Sequence, residues 1–183
     1  FMRLLTERYP RLIIELTVDY SSVLNERLLR NELDIVLAMN GYSPQKQIEY
    51  ESLSPYEMGM FVSPRHAKLL SDSAELWFKQ LPFISFGKQA RPHSELVRYL
   101  AEQGVASPRI HCVSTLMTIV RMTTEGLGIG ALPVATVLEE WQRGELYRLS
   151  LPVPLPAMHY DVIWRNANHP RFCRGVARLA QEC

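Results

Sequence analysis

Apolar positions along the chain follow two rhythms. Leu12, Ile14, Leu16 and Val18 recur at every second position, whereas Leu116, Ile119, Val120, Thr123 and Leu127 recur at helical spacing. These are the periods of a strand with one buried face and of a helix with one buried stripe. Phe1, Leu5 and Tyr9 form a first amphipathic helix that Pro10 ends, and Leu12–Val18 is then expected as a strand. A helix over Val23–Arg30 follows, burying Leu24 and Leu28, with Ser21 or Ser22 as its N-cap and Asn31 at the left-handed stop. Leu33–Met39 reads as a strand covered on both faces, Asn40–Gln47 as a polar loop, and Ile48–Ser63 as a long extended segment interrupted at Pro55.

The pattern then repeats. A short helix is expected at Ala74–Gln80, a strand at Pro82–Gly87, a loop holding Lys88, Arg91, Pro92 and His93, a helix at Ser94–Gln103 stopped by Gly104, and a strand at Arg109–Val113. After it come Ser114, Thr115, a helix ended by Gly126, and the strand Ile129–Leu132 closed by Pro133. A helix at Ala135–Gln142 with Gly144 as its stop, a strand at Leu146–Leu149, a stiff connector with Pro152, Pro154 and Pro156, and a strand at His159–Arg165 complete the series. The terminal helix opens at Asn168, His169 or Pro170 and turns Phe172, Val176 and Leu179 inward.

Strands alternating with helices imply an α/β fold with mostly parallel sheets in two Rossmann-like lobes. The expected division is 1–63 for the first lobe, 64–157 for an inserted second lobe, and 158–183 for the return strand and terminal helix. Two strands crossing between lobes would form a hinge beside a cleft. Parallel sheets present ligands with the carboxyl ends of their strands, where helix N-termini offer unpaired N–H groups. Ser114 and Thr115 fall at such a place, and either could be simply an N-cap. Arg91, beside another helix start, would complement a carboxylate bidentately.

Composition narrows the chemistry. Twenty basic and nineteen acidic residues leave a net charge of +1, so there is no overall electrostatic footprint for nucleic acid or a membrane surface. Cys112, Cys173 and Cys183 have no metal-ligand spacing, which fits reduced thiols in a cytoplasm, with Cys112 expected as a small buried hydrophobe. No apolar run reaches membrane-spanning length. No catalytic constellation emerges, no metal or cofactor is implied, and Gly126-x-Gly128-x-Gly130 lacks dinucleotide-fingerprint spacing. His66 reads as a structural hydrogen-bonder, and Met39, Met117 and Met122 as core fillers.

Four stretches, in this order, carry a family resemblance: Phe1–Pro10, Leu28–Leu37, Val62–His66 and Glu125–Pro133, with His169-Pro170-x-Phe172 added near the end. The chain resembles the effector-binding domain of LysR-type transcriptional regulators, whose fold is that of the two-lobed type 2 periplasmic binding proteins. Asn31 in place of glycine and Ala67 in place of proline depart from the family pattern. The resemblance implies that a winged helix-turn-helix, a linker helix and the first strand of the first lobe would precede Phe1, and that DNA is reached only through that absent part. It implies a non-enzymatic bacterial sensor, a homodimer or tetramer, that holds a small metabolite in the inter-lobe cleft. Carried onto this sequence, the effector-binding positions are Ser21, Ser22, Met39, Arg91, His93, Ser94, Ser114, Thr115, Gly128 and Ile129. Arg91 and the helix starts favour a carboxylate or other small anion. Self-association is expected through Phe1, Met2 and Leu5 against the helix Ser94–Gln103 of a neighbour. A transporter's solute-binding protein, or an enzyme on the same fold, are the rival readings.

Overall fold

A computed structural model of the protein describes residues 1–39, 47–66, 74–167 and 169–182. Most of the expected polar loop Asn40–Gln47 lies outside the described residues, as do Ala67, Asn168 and Cys183. The chain divides into two compact units, Phe1–Pro55 with His159–Cys183, and Tyr56–Met158. Both are α/β; among the described residues the sheet of the first unit pairs only antiparallel, and that of the second is mixed in strand direction.

In the first unit β1 (Ile35–Met39), β2 (Ile48–Ser52) and β8 (Tyr160–Arg165) form a sheet in the order β1-β8-β2. β8 runs antiparallel to both neighbours, with Val36 opposite Ile163 and Glu51 opposite Val162. Alternation along β8 feeds two cores. Ile163 packs with Val36, Ala38, Leu24 and Leu28 of α2 (Ser21–Leu29), while Val162 and Trp164 pack with Cys173, Ala177 and Ala180 of α7 (Pro170–Gln181). Helix α1 (Met2–Arg8) rests on α7, where the Tyr9 and Phe172 rings meet edge to face at 5.1 Å. Asn31 takes the left-handed conformation at φ 65° that ends α2.

Two expectations for this unit fail. Leu33–Met39 was read as covered on both faces, but only Val36 and Ala38 of β1 are buried and Leu37 is exposed. Its partner is the antiparallel β8, and helices cover the two faces unequally at this edge. Leu12–Val18 makes no ladder with any described strand, and Ile13, Leu16 and Val18 are 95%, 72% and 87% exposed. The alternation is present, but a strand needs a neighbour to receive its N–H and C=O groups.

The second unit holds a five-stranded sheet in the order β5-β4-β6-β3-β7, made of β3 (Met58–Val62), β4 (Phe83–Phe86), β5 (Ile110–Val113), β6 (Ile129–Pro133) and β7 (Tyr147–Arg148). Parallel pairing is confined to β5-β4-β6, and β3 is antiparallel to both its neighbours. The extended segment Ile48–Ser63 is therefore two strands in two different sheets. Met58–Val62, assigned from sequence to the first lobe, is buried at all five positions between β6 and β7.

Helix α5 (Leu116–Thr124) lies on this sheet and contributes Ile119 and Val120 to a core with Phe61, Ile84, Leu132, Val137 and Leu146. Leu127, expected on the same stripe, is exposed because the helix has already ended and Gly126 turns left-handed at φ 80°. The end of α5 is latched. His66 Nε2 hydrogen-bonds the Gly126 carbonyl at 2.9 Å, and Arg65 Nη1 donates to the Glu125 carbonyl at 2.9 Å. Both side chains thus serve carbonyls at the C-terminal end of the helix. The expected structural role of His66 is met here.

Candidate functional site

Parallel pairing decides which chain exits lie together. Phe86 stands opposite Val113, so β4 and β5 end side by side, and the chain leaves both at the same end of the sheet. From β4 a turn closed by Ala90 N–H to the Gly87 carbonyl (2.8 Å) leads into α4 (Arg91–Glu102). From β5 the chain passes through Ser114 and Thr115 into α5. Two helix N-termini, each with first-turn N–H groups that lack intrahelical acceptors, therefore open at adjacent strand ends.

Thr115 is the N-cap of α5, its Oγ1 accepting the Thr118 N–H at 3.2 Å and contacting Thr118 Oγ1 at 2.7 Å. Ser114, Thr115 and Thr118 are all exposed, forming a short row of hydroxyls. The sequence reading missed Thr118, although its place three residues after a threonine cap was the available signal.

Helix α4 begins earlier than periodicity implied. Arg91, Pro92 and His93 belong to its first turn, with Ala90 as an N-cap that makes no side-chain bond. Proline at the start is permitted because its missing N–H would be unsatisfied there in any case. Ser94 is consequently no cap, and its hydroxyl donates back to the Arg91 carbonyl at 2.9 Å. Arg91 is half-exposed and lies 3.7 Å from Glu95, one turn on. His93 Nδ1 sits 3.8 Å from Cys112 Sγ, tying the first turn of α4 to β5. Cys112 is exposed, contrary to the expected buried role, because β5 is the edge of the sheet. Farther along α4, Tyr99 Oη donates to the Val153 carbonyl at 2.7 Å, and burial pushes this phenol above its ordinary range.

Arg91, His93, Ser94, Ser114 and Thr115 thus gather at the carboxyl ends of β4 and β5. Gly128 and Ile129 do not join them. Ile129 pairs with Phe83, the first residue of β4, so both stand at the amino ends of the parallel strands and are buried. Gly128 has a packing reason: a Cβ there would fall 2.3 Å from the Pro82 carbonyl oxygen, and Ile129 N–H donates to that oxygen at 2.8 Å.

In the first unit the remaining candidates converge locally. Ser21 Oγ accepts the Met39 N–H at 3.2 Å, fastening the end of β1 to the start of α2. Tyr20 occupies the N-cap position without a side-chain bond, so Ser21 and Ser22 are the first residues of the helix itself. Met39 is half-buried and Met117 exposed, while Met122 packs against the core of the second unit.

Among the described residues no three His, Cys, Asp or Glu side chains come together to hold a metal ion. No helix there is long and apolar enough to cross a membrane.

Comparison with known proteins agrees with this architecture. The chain is 23% identical over 167 residues to the HTH-type transcriptional activator IlvY of Haemophilus influenzae, covering 88% of this chain and 56% of that protein. It is 29% identical over 160 residues to the uncharacterised HTH-type regulator YusT of Bacillus subtilis, covering 87% and 52%. The chain therefore spans about half the length of these relatives. Among solved structures, the reduced OxyR regulatory domain of Pseudomonas aeruginosa matches with a TM-score of 0.79 at 19% identity, covering 100% of this chain and 89% of that one. The MetR regulatory domain of N. meningitidis, a LysR family regulator, matches at 0.71 and 18%, covering 99% and 85%. Both share the fold. The LysR substrate binding domain model matches residues 1–182, and the chain belongs to that family.

Proposed function

We propose that this chain is the effector-sensing and oligomerising domain of a transcription regulator whose DNA-binding segment lies outside these residues. It takes up a small anionic metabolite, a carboxylate in the first instance. The observation that carries the reading is the pair of helix N-termini at adjacent strand ends, with Thr115 as cap of one and Arg91 in the first turn of the other. First-turn N–H groups and a guanidinium both complement negative charge. Ser21, Ser22 and Met39 are the corresponding positions of the first unit. Binding shifts a conformational equilibrium rather than transforming the ligand. The named relatives are transcription regulators, which favours this reading over a transporter's solute-binding protein or an enzyme.

Thermal-shift measurements against carboxylates, amino acids, aromatic acids and neutral sugars test it. A ligand at 100 times its dissociation constant stabilises the folded state by about 2.7 kcal/mol. Arg91→Ala should remove the response to the anion that gives it. A response confined to neutral sugars would refute the anionic assignment. Self-association through Phe1, Met2 and Leu5 is checked by sedimentation, where a monomer at high concentration would count against it.

A further inference from the structure

The second unit holds a cavity of about 500 Å³ at the edge of its sheet opposite β5. None of its lining residues comes from α4, β5 or α5. It exists because β7 stops short: Leu149 N–H still donates to the Met60 carbonyl at 2.8 Å, but Pro152, Pro154 and Pro156 bar any continuation of the ladder. Met58, Leu149 and Leu155, all buried, make an apolar floor. Trp141 of α6 (Leu138–Gln142) stands in the wall, 37% exposed, its ring braced edge to face by Phe61 at 6.1 Å.

One cation enters this wall. The Arg148 guanidinium carbon lies 5.8 Å from the Trp141 ring centroid, and its Nη2 donates to Glu57 Oε1. Gly59 leaves room first for the Phe61 ring and then for Arg148, since a Cβ at that position would come 2.8 Å from Phe61 Cε2 and 3.3 Å from Arg148 Nε. The Glu57 carboxylate is 65% exposed, so its hold on the guanidinium is that of a surface ion pair and is readily exchanged for another carboxylate. Planar guanidinium, indole face and apolar floor together match one kind of guest. The volume falls within the range of metabolite sites.

We propose that this cavity is a second small-molecule site, taking a planar aromatic carboxylate whose acid group pairs with Arg148 and whose ring lies against Trp141. An acid supplies the bidentate partner for the fork, and a flat ring covers the indole at little entropic cost. An amine-bearing ring of equal size meets Arg148 with like charge, and the Glu57 carboxylate that could pair with an ammonium is not among the lining residues, so it is excluded. The assignment stands apart from the strand-end reading, because no residue is shared.

The test is a fluorescence titration of the whole chain with sodium benzoate, using benzylamine as the charge-reversed probe. Of the three tryptophans only Trp141 lines the cavity, so Trp141→Phe should abolish the emission change. Benzoate should give a saturable change and benzylamine none. Arg148→Gln should raise the apparent dissociation constant at least tenfold. Glu57→Gln, at an exposed position that does not threaten folding, should lower it by releasing the guanidinium. A change linear in benzoate, equal curves for benzoate and benzylamine, an unaltered constant in both variants, or a response abolished by Ser114→Ala would overturn the proposal.

Discussion

Leu12–Val18 and Met58–Val62 carry comparable strand chemistry and meet opposite fates. Leu16 and Val18 stand in solvent, whereas Met60, Phe61 and Val62 are wholly buried. The difference lies in what flanks them. Met58–Val62 has β6 on one side and β7 on the other, while Leu12–Val18 has no ladder among the described residues. Strand propensity measures how well a residue fits a pleated surface with neighbours in place.

Four experiments would break or sharpen that contrast. The largest effect is expected from Phe61→Ala, which empties a fully buried ring site and should cost about 3–5 kcal/mol in urea denaturation. Val18→Ser, in the exposed segment, should stay within about 0.5 kcal/mol. Equal costs would show that Leu12–Val18 is packed in solution after all.

Gly128→Ala comes next. Its Cβ would meet the Pro82 carbonyl at 2.3 Å, at the start of the parallel ladder, and overpacking of that kind costs about 1–3 kcal/mol. Gly104→Ala is the companion variant, because nothing lies within 4 Å and only the backbone at φ 81° is strained, by about 1 kcal/mol. Thermal melting of the two separates collision from conformational strain.

His66→Ala should cost about 1 kcal/mol in urea denaturation, the net worth of one helix-end hydrogen bond to the Gly126 carbonyl. An unchanged midpoint would mean that Arg65 holds the end of α5 unaided.

The smallest effect concerns alkaline pH, and it reaches both units. Burial raises the Tyr99 phenol in one, and burial followed by the Asp34 and Glu49 charges raises the Cys173 thiol in the other. A folded-state pKa above the unfolded value favours the protonated group, so the stabilisation is complete below the ordinary thiol and phenol ranges. It is lost as pH rises through them, from about 8.5 upward. Stability measured against pH should therefore fall on the alkaline side, and less steeply in Tyr99→Phe. A flat profile would contradict the burial of both groups.

Local periodicity was a sound guide where an element answers to its own neighbours along the chain. The capping of α5 by Thr115, its glycine stop at Gly126, the left-handed Asn31 and the hydrogen-bonding role of His66 all follow from residues whose conformational preferences act over a few positions. Candidates at the carboxyl ends of β4 and β5 were legible for the same reason, since strand, turn and helix punctuate the chain there. The start of α4 was misplaced because proline hid a helical first turn as a loop. Cys112 was misjudged because an apolar strand looks alike at a sheet's centre and at its edge.

With Leu12–Val18 as the exception, element type, helix stops and the family resemblance, then, were already written in the order of residues, because steric and capping preferences are settled within one turn. Partner choice was not. That Met58–Val62 joins the second unit, that β8 runs between β1 and β2, and that Gly128 stands at the far end from Thr115 depends on strands brought together across long stretches of chain. Backbone hydrogen bonds are alike at every position, so only the packed tertiary structure selects which strand supplies them.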